Sequence, residues 1–387
     1  MIGVIADDLT GAAELAAVGS RYGLCAEILR NGGRPSGKAG LVCMDTDSRS
    51  CEAGEAARRA KAAAKTLRAA GAEWIYKKVD SVLRGNVIPE VEAVMRQLGM
   101  RRALLLPANP SLGRVIRDGE YFIKGEPINR TEFAKDPEYP RRSSQVLRLL
   151  GEPRQFMLRM AEGGWTVPED TMLIGQTATS GDIRKWVRVR DDSRLPAGGS
   201  EFFSELLRAA PRARVIAEEK RVDFGEGRQL FICGSASGSS QALVKEAEKN
   251  RGAVFDLPRE LMWGARLQPE AVDLIARRVL KGFESVRRVI LTIGLPQVRD
   301  VKIARGLSGQ LVEIAARVLQ QIEVPSIFAE GGATAAELVR HMNWPRLEVC
   351  REWAPGVATL EVAGSGVRWL TIKPGSYAWP EGWTVQP

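Results

Sequence analysis

A single histidine, His341, stands in a chain of 387 residues, and that scarcity removes several chemistries at once. Zinc sites of the common types, Ser-His-Asp triads and Cys-His dyads all need imidazole at the reacting atoms, so only His341 could serve any of them. His341 falls late in a stretch read as a helix, residues 335–342, where a cation complements the helix dipole. Five cysteines are an odd number, scattered and never in a C-x-x-C arrangement, which suggests neither a disulfide framework nor a zinc site. Long hydrophobic runs are missing too: stretches such as 103–106 and 289–293 fall far short of the roughly 20 residues of a membrane span. The opening Met1-Ile2-Gly3-Val4-Ile5-Ala6-Asp7-Asp8 is too short for a signal-peptide core and ends in two acids, so the cytoplasm is the expected location.

What is present describes an ordinary folded protein. Hydrophobic residues make up 44% and charged residues 27%, inside the range of globular domains, and the length favours two domains. The formal net charge of +9 could serve nucleic acid, but Lys and Arg are spread along the chain without a basic run interleaved with aromatics. An anionic small substrate explains the balance equally well.

Residues 1–110 alternate short apolar runs with helical stretches, a βα pattern. Strands are predicted over 2–6, 26–29, 40–44, 74–77 and 103–106. The helices between them run over 11–22, with Thr10 as N-cap and Gly23 past the end, over 52–70, stopped by Gly71, and from an Asn86 cap to Gly99. The polar clusters at 7–10, 45–49 and 78–86 all follow strands, at the ends where open α/β sheets bind ligands. Residues 107–165, rich in Pro, Gly and Arg, predict a long excursion from the sheet. A strand over 172–174, a helix over 181–189 and the segment Pro196-Ala197-Gly198-Gly199-Ser200 follow. The charged stretch 218–228 reads as a linker, giving domains 1–222 and 223–387. The second half restarts the alternation with strands over 229–233, 253–255, 289–293 and 326–329. Helices are predicted from 241, over 270–281 and over 308–321, and the tail after Leu347 predicts β-hairpins.

Several motifs could carry chemistry. Gly32-Gly33-Arg34-Pro35-Ser36-Gly37-Lys38-Ala39 approaches a P-loop, but Ala39 stands where a Ser or Thr would bind magnesium and a strand follows, so it reads as a loop joining two strands. Residues 235–240 lead from a strand through small residues into a helix, which lets backbone N–H groups approach an anion. Glu330-Gly331-Gly332-Ala333-Thr334-Ala335 repeats that geometry. Either turn can equally be structural. Asp7 and Asp8 offer a carboxylate pair able to take a hydroxyl proton or hold Mg2+ through water, against the plainer reading that Asp caps the next helix. In the cluster Lys77, Lys78, Asp80, Arg84, the Arg84 fork could grip a carboxylate while Asp80 orients a hydroxyl or a cation, with Gly85 and Asn86 adding donors. Solvated charge is the competing reading.

Taken together these segments resemble the four-carbon acid sugar kinases, also called the YgbK-like or DUF1537 family. The likeness is carried by Ile5-Ala6-Asp7-Asp8-Leu9-Thr10-Gly11-Ala12, by Lys77-Lys78-Val79-Asp80-Ser81-Val82-Leu83-Arg84-Gly85-Asn86, and by Pro107-Ala108-Asn109-Pro110-Ser111-Leu112-Gly113-Arg114 with Asp118-Gly119. Thr131, Asp136-Pro137, Pro140, Ala197-Gly198-Gly199-Ser200, Gly234-Ser235-x-Ser237 with Gln241, Gly331-Gly332-x-Thr334-Ala335, Pro355-Gly356-Val357 and Lys373-x-Gly375 follow in the same order. The resemblance covers nearly the whole chain. It implies two α/β domains, each with a mostly parallel sheet flanked by helices, and an active site in the interdomain cleft.

The resemblance further implies a kinase that uses ATP and Mg2+ to phosphorylate a hydroxyl of a small sugar acid such as threonate or erythronate. Asp7, Asp8 and Asp80 look like the catalytic carboxylates, and Lys78, Arg84, Gly85, Asn86 and Arg114 like the sugar-acid side. Ser235, Ser237, Gly331, Gly332, Ala333, Thr334 and Gly375 look like the ATP side. The partners expected are the sugar acid and ATP, with no nucleic acid and no membrane; a homodimer is allowed, though nothing in the sequence requires one. Family members usually carry Glu where Ala333 stands, a different turn where Pro374-Gly375-Ser376-Tyr377 stands, Thr where Val82 stands and a small residue where Glu201 stands. The alternative is therefore a catalytically lapsed sugar-acid-binding or sensor protein of the same fold. A nicotinamide-dependent oxidoreductase is disfavoured because no G-x-G-x-x-G follows a strand.

Overall fold

The structure, a computed structural model, describes residues 1–30, 32–136, 138–152, 156–159, 172–189, 193–210, 221–235, 237–250, 252–294, 298, 300–354, 356–375 and 379–380. The chain separates into two compact units, Met1–Ala217 and Glu218–Pro387. Pro137, Pro355, Ser376 and Tyr377, named above, residue 236 between Ser235 and Ser237, and the first residues of the 218–228 linker lie outside the described residues.

Unit 1 begins with β1 (Ile2–Ala6), α1 (Leu9–Arg21), β2 (Ala26–Leu29), β3 (Leu41–Asp45), α2 (Ala53–Ala69), β4 (Trp74–Lys78), α3 (Val87–Leu98) and β5 (Arg102–Leu106). The excursion carries β6 (Arg114–Arg117), β7 (Glu120–Ile123), β8 (Glu126–Pro127) and the one-turn α4 (Val146–Leu149). It leads to β9 (Phe156–Arg159), β10 (Met172–Gly175), α5 (Ser180–Val189), β11 (Arg194–Gly198) and α6 (Ser200–Ala209). The main sheet runs β2-β3-β1-β4-β11-β5-β10-β9 and is parallel throughout. Strands covered on both faces read as continuous apolar runs, and β3 and β5 are buried almost end to end. The alanines of α2 let it pack closely on α3, with Ala60, Ala63, Ala64 and Leu67 sharing a core with Val87, Val91 and Val94.

Unit 2 contains β12 (Gln229–Cys233), α7 (Gly238–Lys249), β13 (Ala253–Asp256), α8 (Pro269–Ser285), β14 (Arg288–Thr292), α9 (Val301–Leu319), β15 (Ser326–Glu330) and α10 (Gly332–His341). It ends with β16 (Arg346–Ala354), β17 (Val357–Val362) and β18 (Trp369–Lys373). Strands β13-β14-β12-β15-β18 are parallel, and β17 and β16 continue from β18 in antiparallel pairing. The tail is thus a meander whose last strand joins the parallel sheet. Both units are α/β with a mostly parallel sheet flanked by helices.

The expected elements need four corrections. Helix α1 is capped by Asp8, whose carboxylate accepts from the Gly11 N–H at 2.7 Å, and not by Thr10. Residues 194–198, given no element in the sequence reading, form a central strand despite Pro196, which lacks a ladder N–H. The proline is tolerated because β11 pairs with β4 only at Ala197 and Gly198, beyond the missing N–H. The excursion leaves the main sheet as expected, with β6, β7 and β8 building a separate antiparallel sheet, but β9, inside the predicted span, returns to the main one. Helix α9 starts at Val301, under an Asp300 cap, seven residues before the predicted start at 308; Gly306 and Gly309 lower its intrinsic propensity, and packing of Leu307, Leu311 and Ile314 overrides that.

Candidate functional site

In unit 1, β3, β1 and β4 are neighbours, with Ala6 level with Asp45 and Ile5 level with Lys77. The loops leaving their carboxyl ends therefore start about one strand spacing apart. The Asp7 carbonyl accepts from the Ser48 and Arg49 N–H groups at 2.9 and 3.2 Å, which turns Arg49 toward the carboxylates. Arg49 donates through Nε and Nη2 to Asp7 at 2.7 and 3.0 Å and through Nη1 to Asp8 at 2.7 Å, and Nη2 stands 3.7 Å from Asp80 Oδ1. Gly85, at φ +79°, lies against this arginine: a Cβ there would sit 3.1 Å from Arg49 Cγ and 3.3 Å from its carbonyl oxygen.

Asp80 organises the next loop. Its Oδ2 accepts from the N–H groups of Val82 and Arg84 at 3.2 and 3.1 Å, while the Arg84 guanidinium donates to both carboxylate oxygens at 3.1 and 2.9 Å. Arg84 Nη1 donates to Asp136 at 3.1 Å. The sequence reading gave Arg84 and Asp80 separate tasks; the structure closes the Arg84 fork on Asp80 and Asp136 instead. Arg114 joins through Ser81, whose hydroxyl accepts from its Nη1, and the Phe133 ring lies 5.9 Å from both the Arg84 and Arg114 guanidinium carbons. Lys78, buried, stands 3.3 Å from Glu14, and Lys77 pairs with Glu90 at 2.8 Å in full burial. Asn86 sits at the N-cap position of α3 but its side chain donates to the Cys51 carbonyl at 2.8 Å, tying that loop down rather than capping the helix.

The electrostatics separate the carboxylates. Burial pushes Asp7 up, but the charge and hydrogen bonds of Arg49, with Lys77, outweigh it and hold Asp7 below its ordinary value. For Asp8 burial dominates; Arg49 opposes it, the Asp7 charge adds to it, and the carboxyl ends above the ordinary value. The Asp8 side chain is also the more open, 25% exposed against 5% for Asp7. Asp80 is buried, yet Arg84 and Arg49 hold its carboxyl far below the ordinary range.

In unit 2 three turns leave adjacent strands β12, β15 and β18, with Cys233 level with Glu330 and Glu330 level with Lys373. Ser237 caps α7, accepting from the Ser240 N–H at 3.3 Å, and its hydroxyl donates to the Gly375 carbonyl at 2.5 Å. The Ser235 hydroxyl accepts from the Ser237 N–H at 3.2 Å. Gly331 is the N-cap of α10, and Gly332, Ala333 and Thr334 form its first turn, with Thr334 buried against Ser308 at 3.2 Å and Ala333 exposed. A Cβ at Gly234 would come within 1.7 Å of Thr334 Oγ1, so the first two turns touch. Below them Glu330 and Lys373, both fully buried, pair at 3.3 Å; burial raises the Glu330 carboxyl and lowers the Lys373 amine, each against the pull of the other. Two helix N-termini thus open beside one another, an arrangement able to bind the oxygens of an anion.

The structure brings Asp7, Asp8, Asp80, Arg84 and Gly85 together, with Arg114 attached through Ser81, and separately gathers Ser235, Ser237, Gly331, Thr334 and Gly375. Sequence reasoning missed Arg49, the residue that joins the unit 1 carboxylates, and with it Glu14 and Glu90, and it gave no role to Asp136, which it named only within a motif. Arg49 closes the polar run Asp45-Thr46-Asp47-Ser48-Arg49 after a strand, and that position was the available signal.

Residues 2–162 match the family described as the sugar-binding N-terminal domain, and residues 230–377 match the nucleotide-binding C-terminal domain. The chain is 34% identical to the D-threonate kinase of Bordetella bronchiseptica over 404 residues, covering 97% of this chain and 91% of that one. It is 27% identical to the 3-oxo-tetronate kinase of Methylobacterium radiotolerans over 396 residues, covering 94% and 92%. Among solved structures, a Haemophilus influenzae protein of the DUF1537 family has the same fold, with a TM-score of 0.71 at 19% identity over 97% of this chain and 96% of that one.

Proposed function

The chain belongs to the four-carbon acid sugar kinase family, and from that premise we propose that it moves the γ-phosphoryl group of ATP to a hydroxyl of a four-carbon sugar acid such as threonate or erythronate, in the cytoplasm. The observation that carries the reading is the Arg49-centred cluster of Asp7, Asp8 and Asp80 at adjacent strand ends, flanked by Arg84 and Arg114. Phosphoryl transfer asks the protein mainly for positioning and charge stabilisation, and those are what such a cluster supplies.

In this reading Asp8 takes the hydroxyl proton, being the more exposed carboxylate of the pair and the one whose pKa is raised. Asp7 and Asp80, both gripped by arginine, hold the charge pattern around it. Arg114, Lys78 and the Arg84 edge, with Gly85 and Asn86 shaping the loop, bind the acid. Backbone donors at Ser235, Ser237, Gly331, Gly332, Ala333, Thr334 and Gly375 bind phosphate oxygens. Mg2+ accompanies ATP and neutralises charge on its phosphates when bound. Among the described residues no three His, Cys, Asp or Glu converge on a metal position, so no protein ligand is assigned to it.

Screening four- to six-carbon aldonic acids for ATP-dependent ADP release tests the proposal, together with Asp8→Asn. Turnover on one such acid, reduced on the order of 10²-fold or more by Asp8→Asn with ATP binding intact, is the expected result. ATP binding without turnover on any acid would leave the lapsed binding protein as the reading.

A further inference from the structure

The excursion after β5 sends three side chains from one short stretch into the loops that carry the unit 1 cluster. Asp136 accepts from Arg84 Nη1 at 3.1 Å, the Tyr139 hydroxyl donates to the Arg49 carbonyl, and Arg141 Nη1 donates to the Leu83 carbonyl at 2.9 Å. The stretch is tied to itself as well. Asp136 Oδ1 accepts from the N–H groups of Glu138 and Tyr139 at 3.0 and 2.8 Å, Arg141 Nε donates to the Tyr139 carbonyl at 2.8 Å, and the Arg141 N–H donates to the Phe133 carbonyl at 2.9 Å.

Leu83 shows why such support is needed. It sits in the left-handed region at φ +63° although it is not glycine, with its side chain 2% exposed in the core. Side chains with a Cβ adopt that conformation at a cost of about 1 kcal/mol or more, and they keep it only where the surroundings over-determine it. Here the side chain is pinned by burial and the carbonyl by Arg141, which is itself 8% exposed. The next residue is Arg84, so the Leu83 conformation sets the direction in which the Arg84 guanidinium leaves the chain.

We propose that Asp136, Tyr139 and Arg141 are positioning residues: a brace that holds Leu83 in its left-handed conformation and fixes Arg49 and Arg84 in the geometry that receives the sugar acid. The acid-binding role rests on the proposed function, whereas the mechanical role does not. The brace is expected to act on one substrate only, because Asp136, Tyr139 and Arg141 reach the loops after β3 and β4.

Two measurements on the full-length chain test it. Hydrogen exchange at the Val82 and Arg84 amides, both bonded to Asp80, reports the loop without any ligand. Arg141→Met is expected to speed exchange at both by about tenfold, and Arg141→Lys, which keeps a donor for Leu83, to restore most of the protection. Calorimetry with D-threonate, D-erythronate and ATP reports the function. Arg141→Met, Asp136→Asn and Tyr139→Phe are expected to weaken acid binding by about threefold to tenfold with ATP affinity unchanged. Unaltered exchange in Arg141→Met, or an equal loss of ATP affinity in all variants, overturns the brace. If the wild-type chain binds neither acid, the proposed substrate class fails, and the exchange data alone decide whether the loop is braced.

Discussion

Arg49 closes its guanidinium fork on Asp7, with Nε 2.7 Å from Oδ2 and Nη2 3.0 Å from Oδ1, while its remaining nitrogen reaches Asp8 at 2.7 Å. One cation thereby sets the protonation of two adjacent carboxylates that burial alone would push up together. The arrangement makes one of them a held counter-charge and leaves the other to titrate.

Removing that cation has a defined sign. Arg49 lowers the pKa of both Asp7 and Asp8, so Arg49→Met raises both, and the fraction of deprotonated base at a given pH falls. The acidic limb of turnover is expected to move to higher pH, with turnover at pH 7 reduced by about 10²-fold, whereas Arg49→Lys keeps the charge and moves the limb less. A pH-rate profile with the same limb in wild type and Arg49→Met would remove Arg49 from the control of the base.

Much of this was legible in the chain before its coordinates were. The βα alternation in residues 1–110 and the strand-end positions of Asp7, Asp8 and Asp80 follow from hydrophobic period and turn chemistry, which are local. The pairing of Arg49 with Asp7, or of Arg84 with Asp136 across 52 residues, depends on β3 lying beside β1 and on where the excursion returns. Neither is written in any window of sequence. Pro196 and Gly306 show the reverse: each carries a sound local preference, against strand or against helix, that register or packing overrides.

The Lys77–Glu90 pair beneath the cluster predicts an asymmetric stability response. Both side chains are 1% exposed and 2.8 Å apart, and the Ser48 hydroxyl donates to the other Glu90 oxygen at 2.9 Å. Glu90→Ala strands a buried lysine and is expected to destabilise unit 1 by about 3–5 kcal/mol in urea unfolding. Glu90→Leu combined with Lys77→Met removes both charges and is expected to recover most of that loss. Equal instability in the single and double variants would contradict a penalty set by the unpaired charge.

Asp80 predicts acid sensitivity. Its carboxyl lies far below the ordinary value in the folded chain because Arg84 and Arg49 outweigh burial. A depressed carboxylate contributes stability that is fully present above its unfolded pKa of about 4 and is lost as pH falls through the folded value. Unfolding midpoints are therefore expected to fall steeply below about pH 4, and Arg84→Met to start lower and show a shallower decline over the same window. Parallel pH profiles for the two proteins would show that the Asp80–Arg84 pair is not the source.

In unit 2 the contact between Gly234 and Thr334 separates a glycine that must stay from glycines that need not. A Cβ at Gly234 meets Thr334 Oγ1 at 1.7 Å, and Thr334 cannot yield freely, because it is buried in the first turn of α10 with its hydroxyl on Ser308. The backbone there is fixed as well: the Gly234 N–H donates to the Glu330 carbonyl at 3.1 Å, one residue beyond the in-register Cys233 and Glu330. Gly234→Ala is thus expected to destabilise unit 2 by about 1–3 kcal/mol. Displacing the N-terminus of α10 should also weaken ATP binding by about tenfold or more while leaving acid binding unchanged. Gly306→Ala makes the contrast, since a Cβ there meets nothing within 4 Å in the interior of α9, and it is expected to raise stability by about 0.5–1 kcal/mol. Calorimetry and urea unfolding of the two variants separate a loss caused by steric contact at the turns after β12 and β15 from a general intolerance of glycine replacement; a Gly234→Ala protein that binds ATP as tightly as wild type would argue against the nucleotide site proposed at these turns.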